Sequence, residues 1–449
     1  MKYNAVIMEG ARSSQNASSG QPVEVPSMVK RVVLGMLVLA VLLSGLYFAR
    51  MSGTNAEAYG NDFSVYYHAA REVISGRDPY QHSLGEWTPY IYPPLLAELV
   101  VPLALLPLPV AAYLWFLFSF CSIAAAAWMS GRLAGRNGEP ASAAWRQGVV
   151  ESVTWQAAIA GCALVIVLRF VLDTFKLGQV NGIVAALAVA HVYLYVRGRK
   201  ALSAIALAIA ISFKLTPALL VLYHIAKMRL RFALACCALL VAVTGLSLLP
   251  FGSHGNNALQ TFVNRTLKNE QGYDFAYSGN QSLRGAIARL TDQSDNNSET
   301  RDPANVGTLL ISIVILSLAV FSAVRGRTEL ASVAPFFCCL VLLSPLSWKS
   351  HYVILVLPAA YLLNRAIASF KARQLIAATL VLTFVLFNLT GPWVIGLTGA
   401  EWADAHSLVF AGALLLFIAC AASTVTRMVT RSLASDHTFV NLIDKSSGD

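Results

Sequence analysis

The chain has 449 residues, of which 57% are hydrophobic and only 12% are charged. A soluble protein of this length has about 25% charged residues, so the composition excludes a soluble globular fold. The net charge of +10 does not predict nucleic-acid binding, because basic cytoplasmic loops beside anionic lipids account for it in a membrane protein. Apolar runs recur along the chain, each close to the roughly 20 residues that cross a bilayer. We predict an all-α polytopic membrane protein with about 10–12 spanning segments.

The two ends of the chain are polar. Residues 1–29 lack the apolar core of a signal peptide and are predicted to form a disordered cytosolic tail. The first apolar run follows Lys30 and Arg31 and is expected to be an uncleaved anchor. Residues 30–426 are predicted to be a single transmembrane domain with extracytoplasmic loops at 52–91 and 251–303, and residues 427–449 a cytosolic tail.

The apolar runs define twelve candidate spanning segments. They lie near 32–48, 92–107, 109–130, 154–172, 180–196, 201–225, 230–250, 304–324, 330–346, 351–364, 374–390 and 406–426. All seven cysteines fall inside such runs, and none has metal-ligand spacing. We therefore expect no disulfide framework, no metal and no cofactor.

Lysine and arginine predict the topology, because cytoplasmic loops carry an excess of both. The basic clusters near 30, 227–231, 325–327, 365–373 and 427–431 place both termini inside and the loops at 52–91, 251–303, 344–351 and 391–406 outside.

The middle of the chain allows two arrangements. Twelve full crossings would place the basic "RGRK" at 197–200 outside, which the rule disfavours. In the other arrangement the two apolar runs in residues 92–130 together cross the membrane only once. Residues 201–226 then form a re-entrant hairpin broken at "KLTP", 214–217. Charge alone leaves both open.

The stretch "NDFSVYYHAAREVISG" begins the first long polar gap. Phe63, Tyr66, Tyr67 and Ala70 follow helical spacing, and polar residues including Glu72 take the other face, which is typical of an interfacial amphipathic helix. Asp62 stands at its start. A carboxylate there is either a helix N-cap or a catalytic base held at the membrane boundary.

Other polar residues lie in or beside apolar runs. An intramembrane lysine such as Lys214 usually faces a polar cavity, although it can also snorkel to an interface. The further candidates are each equally compatible with a polar turn, a capped loop helix or an interfacial anchor. They are Lys176, Gln179, Asn181, Asn280, Gln281, Arg284, Trp348, Lys349 and His351.

Together these residues put one carboxylate and several cations at one face of the membrane. A carboxylate can remove the proton of an acceptor hydroxyl, and cations can stabilise a leaving phosphate. Glycosyl transfer from a lipid-linked sugar phosphate requires both groups. The pattern therefore favours that reaction.

The order "NDFSVYYHAAREVISGRDPY … YIYPPLLAELVVPLALLP … KLGQVNG … FKLTPALLVLY … NQSLRG … LSPLSWKSHYVILVLP" resembles the bacterial membrane glycosyltransferases of family 87, in the GT-C superfamily. That family includes polyprenol-phosphate-mannose-dependent α-1,2-mannosyltransferases. The resemblance aligns Asp62 with the family's essential aspartate and Tyr92 with its Tyr-Pro-Pro element. Gln179 and Asn181 match its Gly-Gln-Val-Asn turn, Lys214 its Lys-x-x-Pro segment, and Asn280 and Gln281 its Asn-Gln-Ser element. In its Ser-Trp-x-His-His pattern the first histidine is Ser350 here, and only His351 remains.

The resemblance implies a GT-C-like catalytic domain in a bacterial inner membrane, with the active site on the extracytoplasmic face. The donor would be a polyprenyl-phosphate sugar, most simply mannose, and the acceptor a glycolipid or glycan. Transfer would invert the anomeric carbon, with Asp62 as base and the other candidates as substrate contacts. The alternative is a transporter or flippase of lipid-linked sugars, which would show inverted repeats that this sequence lacks.

Overall fold

A computed structural model describes residues 27–54, 62–80, 89–136, 153–250, 255–267, 274–291, 303–368 and 373–424. The predicted C-terminal tail, residues 1–26 of the predicted N-terminal tail and parts of the predicted loops at 52–91 and 251–303 lie outside these ranges. The chain divides into two compact units, Met1–Tyr47 and Phe48–Asp449. All the contacts described below belong to the second unit.

The regular elements in the described ranges are helices. They are α1 Ser27–Thr54, α2 Asp62–Ile74, α3 Pro94–Ala104, α4 Leu108–Arg136, α5 Val153–Ile166, α6 Leu168–Leu177, α7 Asn181–Val196, α8 Lys200–Phe213, α9 Leu219–Ala226, α10 Leu230–Leu248, α11 Gly255–Leu267, α12 Leu283–Leu290, α13 Pro303–Arg325, α14 Glu329–Leu342, α15 Val356–Ala368, α16 Arg373–Phe384, α17 Pro392–Ala405 and α18 Leu408–Thr424. Short 3₁₀ helices cover Thr216–Ala218 and Lys349–Leu355, and a π-helical turn covers Val385–Leu389.

Four helical stretches in the described ranges are long and apolar enough to cross a membrane, or up to six if each bent pair is one span. Seven shorter apolar helices of 10–17 residues accompany them. Many of their large apolar side chains are exposed, including Leu234, Val241, Leu309 and Val314. Exposed apolar stripes on long helices fit a lipid environment. The predicted all-α polytopic membrane fold is confirmed.

Contacts along α7 distinguish the two ends of the bundle. At its first residue, Asn181 contacts Lys214, and we name this the Lys214 end. About 15 Å further along the helix, His191 contacts Ser203 at 3.0 Å and His224 at 2.9 Å, and we name this the His191 end. Ser203 begins α8 and His224 ends α9, so the segment 200–226 turns back at Lys214. This fold is the one expected in the second of the two arrangements that the sequence left open.

The path of residues 92–136 also follows the second arrangement. The hydroxyl of Tyr67 in α2 donates to the Leu106 carbonyl at 2.8 Å, so the end of α3 lies against α2. Helix α4 then runs from Trp115, which donates to the Gly178 carbonyl at the Lys214 end, to Trp128, whose ring lies 5.7 Å from that of Tyr193. The basic residues of "RGRK" therefore lie at the His191 end.

Helix α2 begins at Asp62, as predicted, and packs its aromatic face inward with Phe63 and Tyr66 fully buried. It ends at Ile74, two residues before Gly76, whose φ of 67° suits glycine. The prediction for its polar face is wrong at two positions, because Ser64 and Glu72 are buried rather than facing water. Glu72 pairs with Arg77 through contacts of 2.5 and 3.0 Å.

The structure differs from the sequence prediction at two places, one inside a predicted span and one in a predicted loop. The chain bends by 68° between α5 and α6, inside one predicted span. Asn388 bridges this break, since its side chain donates to the Ile166 carbonyl at 2.9 Å and accepts from the Arg169 amide at 3.0 Å. The predicted loop at 391–406 is mostly helix α17, which starts with Pro392 in the first turn, where a missing N–H costs nothing.

We expect the Lys214 end to face outside and the His191 end inside. In a chain whose native cysteines are replaced by alanine, a cysteine at exposed Leu290 should react with a membrane-impermeant maleimide in intact cells. A cysteine at exposed Arg327 should react only after permeabilisation. The opposite labelling pattern would reverse the predicted orientation.

Candidate active site

A tight turn between α6 and α7 starts the site. Gly178 ends α6 with a φ of 62°, a left-handed conformation that glycine adopts without steric cost. The Gln179 amide then donates to the Thr174 carbonyl at 3.0 Å, which closes the helix end. Trp115 holds the turn from α4, with its indole N–H 2.8 Å from the Gly178 carbonyl. The turn therefore buries the side chains of Gln179 and Asn181.

Asn181 connects three segments of the chain. Its Nδ2 donates to Gln179 Oε1 at 2.8 Å and to Ser350 Oγ at 3.1 Å. Its Oδ1 accepts from Lys214 Nζ at 2.9 Å. All its hydrogen-bonding atoms are thus used to fix the position of the lysine.

Lys214 stands at the break of the hairpin, where the backbone leaves α8 in an extended conformation. Its Nζ lies 2.5 Å from His351 Nε2. Since an ammonium can only donate, Nε2 accepts and the His351 proton sits on Nδ1. Nδ1 is buried and has no hydrogen-bond partner in the described residues. These two side chains line a small cavity with Thr216, Val341 and Ile354.

Asp62 faces this cluster from the start of α2. Burial raises the pKa of its carboxyl to about 7, and the charge of Lys214 opposes part of that rise. A carboxyl with a pKa near 7 is available as a base at neutral pH and holds a proton almost as readily, which suits general-base catalysis. The Asp62 carboxyl and the Lys214 amine thus lie at the same end of the bundle and interact electrostatically.

The 3₁₀ helix at Lys349–Leu355 carries three consecutive contacts. Lys349 pairs with Asp404 at 2.6 Å, Ser350 contacts Asn181, and His351 contacts Lys214. Ser350, which stands where the family pattern has a histidine, is 1% exposed and bonded to Asn181. The site thus contains one histidine beside the lysine, with a hydroxyl in the second position.

The model of glycosyltransferase family 87 matches residues 90–345, which is more than half of the chain. The chain belongs to glycosyltransferase family 87. It is a membrane glycosyltransferase whose matched region includes Gln179, Asn181 and Lys214. Asp62 precedes the matched residues, and His351 follows them.

Named relatives agree with this family. A polyprenol-phosphate-mannose-dependent α-(1-2)-phosphatidylinositol pentamannoside mannosyltransferase of Mycobacterium tuberculosis is 27% identical over 77% of this chain and 75% of its own length. The enzyme of the same name from Mycolicibacterium smegmatis is 26% identical over 90% and 93%. A phosphatidylinositol mannoside mannosyltransferase of M. tuberculosis is 26% identical over 91% and 95%.

The Asn-Gln-Ser element of this family 87 chain has a bracing role in the structure. Asn280 donates to the Phe275 and Pro345 carbonyls and accepts from the Ser347 amide. Gln281 donates to the Ser278 and Asp404 carbonyls. Both side chains are fully buried and already hydrogen-bonded to the protein. They hold the loop that carries Lys349 and His351, so direct substrate contact by either residue would require these bonds to break.

The remaining predicted residues lie around the cluster or apart from it. Tyr92 is buried with its ring 4.8 Å from that of Tyr66. Lys176 is exposed at the end of α6, and the Trp348 ring packs edge-on against Tyr277 at 5.7 Å. Arg284 stacks over the Phe275 ring at 3.5 Å and donates to Asn305. The structure thus brings Asp62, Lys214 and His351 together, with Arg284 outside that group.

Sequence reasoning missed two residues at the site. Tyr66, one helical turn after Asp62, was assigned only to the apolar face of α2, yet its hydroxyl lies near the Asp62 carboxyl. Asp404 was placed in a loop, and it pairs with Lys349. Helical i, i+4 spacing from Asp62 could have indicated Tyr66, whereas no local signal indicates Asp404. In the described part of the chain, no group of three or more His, Cys, Asp or Glu side chains could hold a metal ion.

The raised pKa of Asp62 makes stability depend on pH at this residue. Because the folded-state value of about 7 exceeds the ordinary 3.8, the protonated carboxyl stabilises the folded state below about pH 4, and this advantage is lost as the pH rises through 7. We therefore expect the melting temperature of Asp62→Asn, relative to wild type, to increase between pH 4 and pH 8 in detergent. A pH-independent difference at Asp62 would contradict the assignment.

Proposed function

We propose that this protein transfers mannose from polyprenyl-phosphate mannose to a mannosylated lipid acceptor, with inversion at the anomeric carbon. One observation carries the proposal. The Asp62 carboxyl, with its pKa near 7, lies in electrostatic reach of a lysine that also contacts a histidine. A base and a cation cluster on one side of a membrane domain are the two groups that transfer from a lipid phosphate requires.

The names of the relatives support the choice of donor and acceptor. Those proteins are described as dependent on polyprenol-phosphate-mannose and as acting on phosphatidylinositol mannosides. Identities of 26–27% over most of the chain support the same reaction class here. The acceptor of this protein is accordingly proposed to be a phosphatidylinositol mannoside.

The proposed reaction is a single displacement. Asp62 accepts the proton of an acceptor hydroxyl while its oxygen attacks the anomeric carbon of the donor. The bond from that carbon to the phosphate oxygen breaks, and the electron pair leaves with polyprenyl phosphate. One displacement converts a β-linked donor into an α-linked product, and Asp62 then releases its proton to solvent.

Lys214 and His351 are proposed to hold the departing phosphate. The negative charge on the phosphate grows as the bond to the sugar breaks, so an adjacent ammonium stabilises the transition state more than the ground state. The His351 Nδ1–H is buried without a protein partner and supplies a second donor. Asn181 and Gln179 keep the ammonium in place and do not need to contact the donor themselves.

The active site is proposed to face the extracytoplasmic side. The Lys214 end holds Asp62 and the cavity, while "RGRK" lies at the His191 end. Arg229 and Lys227 also lie there, since the Arg229 amide donates to the His224 carbonyl at 2.9 Å. The rule for basic loops places that end in the cytoplasm. A lipid-linked donor fits this arrangement, because nucleotide sugars are cytoplasmic.

Product analysis tests the proposal. Purified protein in lipid nanodiscs, supplied with polyprenyl-phosphate [¹⁴C]mannose and a phosphatidylinositol mannoside, should form a labelled product in which α-mannosidase releases the label. A flippase reconstituted in vesicles would move the donor lipid across the bilayer and leave the glycosidic bond unchanged. Movement of label without a new product would overturn the proposal.

Asp62→Asn separates catalysis from capping. Asn caps a helix about as well as Asp but cannot accept a proton. We expect the variant to express and melt at pH 5 close to wild type, while turnover falls about 100-fold or more, the scale of a lost general base. Asp274→Asn, on an exposed loop, should retain full activity. A folded and active Asp62→Asn protein would leave Asp62 with only a capping role.

Lys214→Met tests the phosphate contact. Removing the ammonium should lower kcat about 100-fold, corresponding to about 2–4 kcal/mol of lost transition-state stabilisation. Lys227→Met is the matched control, because Lys227 donates to the Ala323 carbonyl at the His191 end. If both variants turn over at the wild-type rate, Lys214 has no role in leaving-group stabilisation.

A further inference from the structure

The Tyr66 hydroxyl is a buried polar group without a protein partner. The side chain is 0% exposed, and no described residue forms a hydrogen bond with its hydroxyl. An unsatisfied buried hydroxyl destabilises the folded protein, so such groups are rare in native structures. The position of this one, beside a proposed catalytic base, suggests that its partner arrives with the substrate.

The surroundings of Tyr66 fix where the hydroxyl points. The ring meets Tyr92 edge-on at 4.8 Å and Trp115 at 5.6 Å. Trp115 is itself anchored by its bond to the Gly178 carbonyl. The Asp62 carboxyl, the Tyr92 side chain and the Val180 amide all interact with the hydroxyl electrostatically, but none of them meets it at the distance and angle of an ordinary hydrogen bond. The phenol is therefore held rigidly with an unused donor near the base.

Helix geometry places this donor on the acceptor side of the site. Residues four apart in a helix share one face, about 5–6 Å apart at Cβ, so Tyr66 and Asp62 project side by side from α2. The cations that would hold the donor phosphate come from other elements, Lys214 from the end of α8 and His351 from the 3₁₀ helix. Two adjacent hydroxyls on a sugar ring match a carboxylate and a phenol that share a helix face.

We propose that the Tyr66 hydroxyl binds the acceptor sugar by a hydrogen bond to a hydroxyl next to the one that Asp62 deprotonates. This assignment rests on the proposed function. It adds a specificity-determining residue that selects a polyol with two neighbouring hydroxyls. The unsatisfied phenol of the free enzyme becomes paired only when such an acceptor is present.

Tyr66→Phe removes only the oxygen and tests the assignment. We expect kcat/KM for a phosphatidylinositol mannoside acceptor to fall about tenfold, the value of one hydrogen bond, while KM for polyprenyl-phosphate mannose stays unchanged. The melting temperature should stay level or rise, because no protein hydrogen bond is lost. A fall in melting temperature would show that the hydroxyl is bonded within the protein, and it would overturn the assignment.

Tyr67→Phe is the matched control in the next position of the same helix. The Tyr67 hydroxyl donates to the Leu106 carbonyl at 2.8 Å, so this variant should lose stability and keep its acceptor kcat/KM within about twofold, since a protein bond and no substrate bond is removed. The pair of variants should therefore show opposite effects on stability and activity.

The remaining outcomes separate this assignment from the function on which it rests. If Asp62→Asn abolishes transfer and Tyr66→Phe leaves acceptor kinetics unchanged, the tyrosine has no substrate role and the proposed function stands. If Tyr66→Phe raises only the donor KM, the hydroxyl belongs to the donor side, which also overturns the assignment. If the wild-type protein transfers no mannose, both proposals fall together.

Discussion

The site depends on one buried cation. Lys214 leaves the hairpin at its break and reaches Asn181 and His351, and its charge acts on the carboxyl of Asp62. An ammonium in a low-dielectric environment is costly unless donors and charges around it are satisfied. The Gly178 turn positions Gln179 and Asn181, Asn181 accepts from the lysine, and the 3₁₀ helix supplies His351 as a second partner. Asn181 and His351 together place the lysine side chain.

The same requirement explains the shape of the membrane domain. A helix that continued through 214–217 would carry the following residues away from the cavity, whereas the hairpin returns the chain to the His191 end. Asn388 satisfies backbone groups exposed at the second break, between α5 and α6. Irregular backbone within a membrane protein persists where its free groups are paired, and Asn388 meets that condition at the α5–α6 break.

The sequence predicted those features that depend on residues close together in the chain, such as the start of a helix. The start of helix α2 at Asp62 follows from amphipathic spacing, whereas charge left the hairpin at Lys214 as one of two possible arrangements. The pairing of Lys349 with Asp404 and the bracing by Asn280 depend on segments far apart in the chain, and no periodicity encodes them. Glu72 was misplaced because its partner Arg77 lies beyond the helix end. The role proposed for Tyr66 depends on the absence of a hydrogen-bond partner for its hydroxyl among the described residues, which a sequence does not show.

The 3₁₀ helix at Lys349–Leu355 has a consequence for how this segment can diverge. With three residues per turn, consecutive side chains point 120° apart and every third residue aligns. Lys349 and Tyr352 accordingly reach one corner, where Lys349 meets Asp404 and the Tyr352 hydroxyl donates to the Gln281 carbonyl, while Ser350 and His351 take the other two directions. The segment has no side free of a specific contact. A substitution at any of these four positions therefore removes or replaces a specific contact, as the serine at position 350 does by bonding to Asn181.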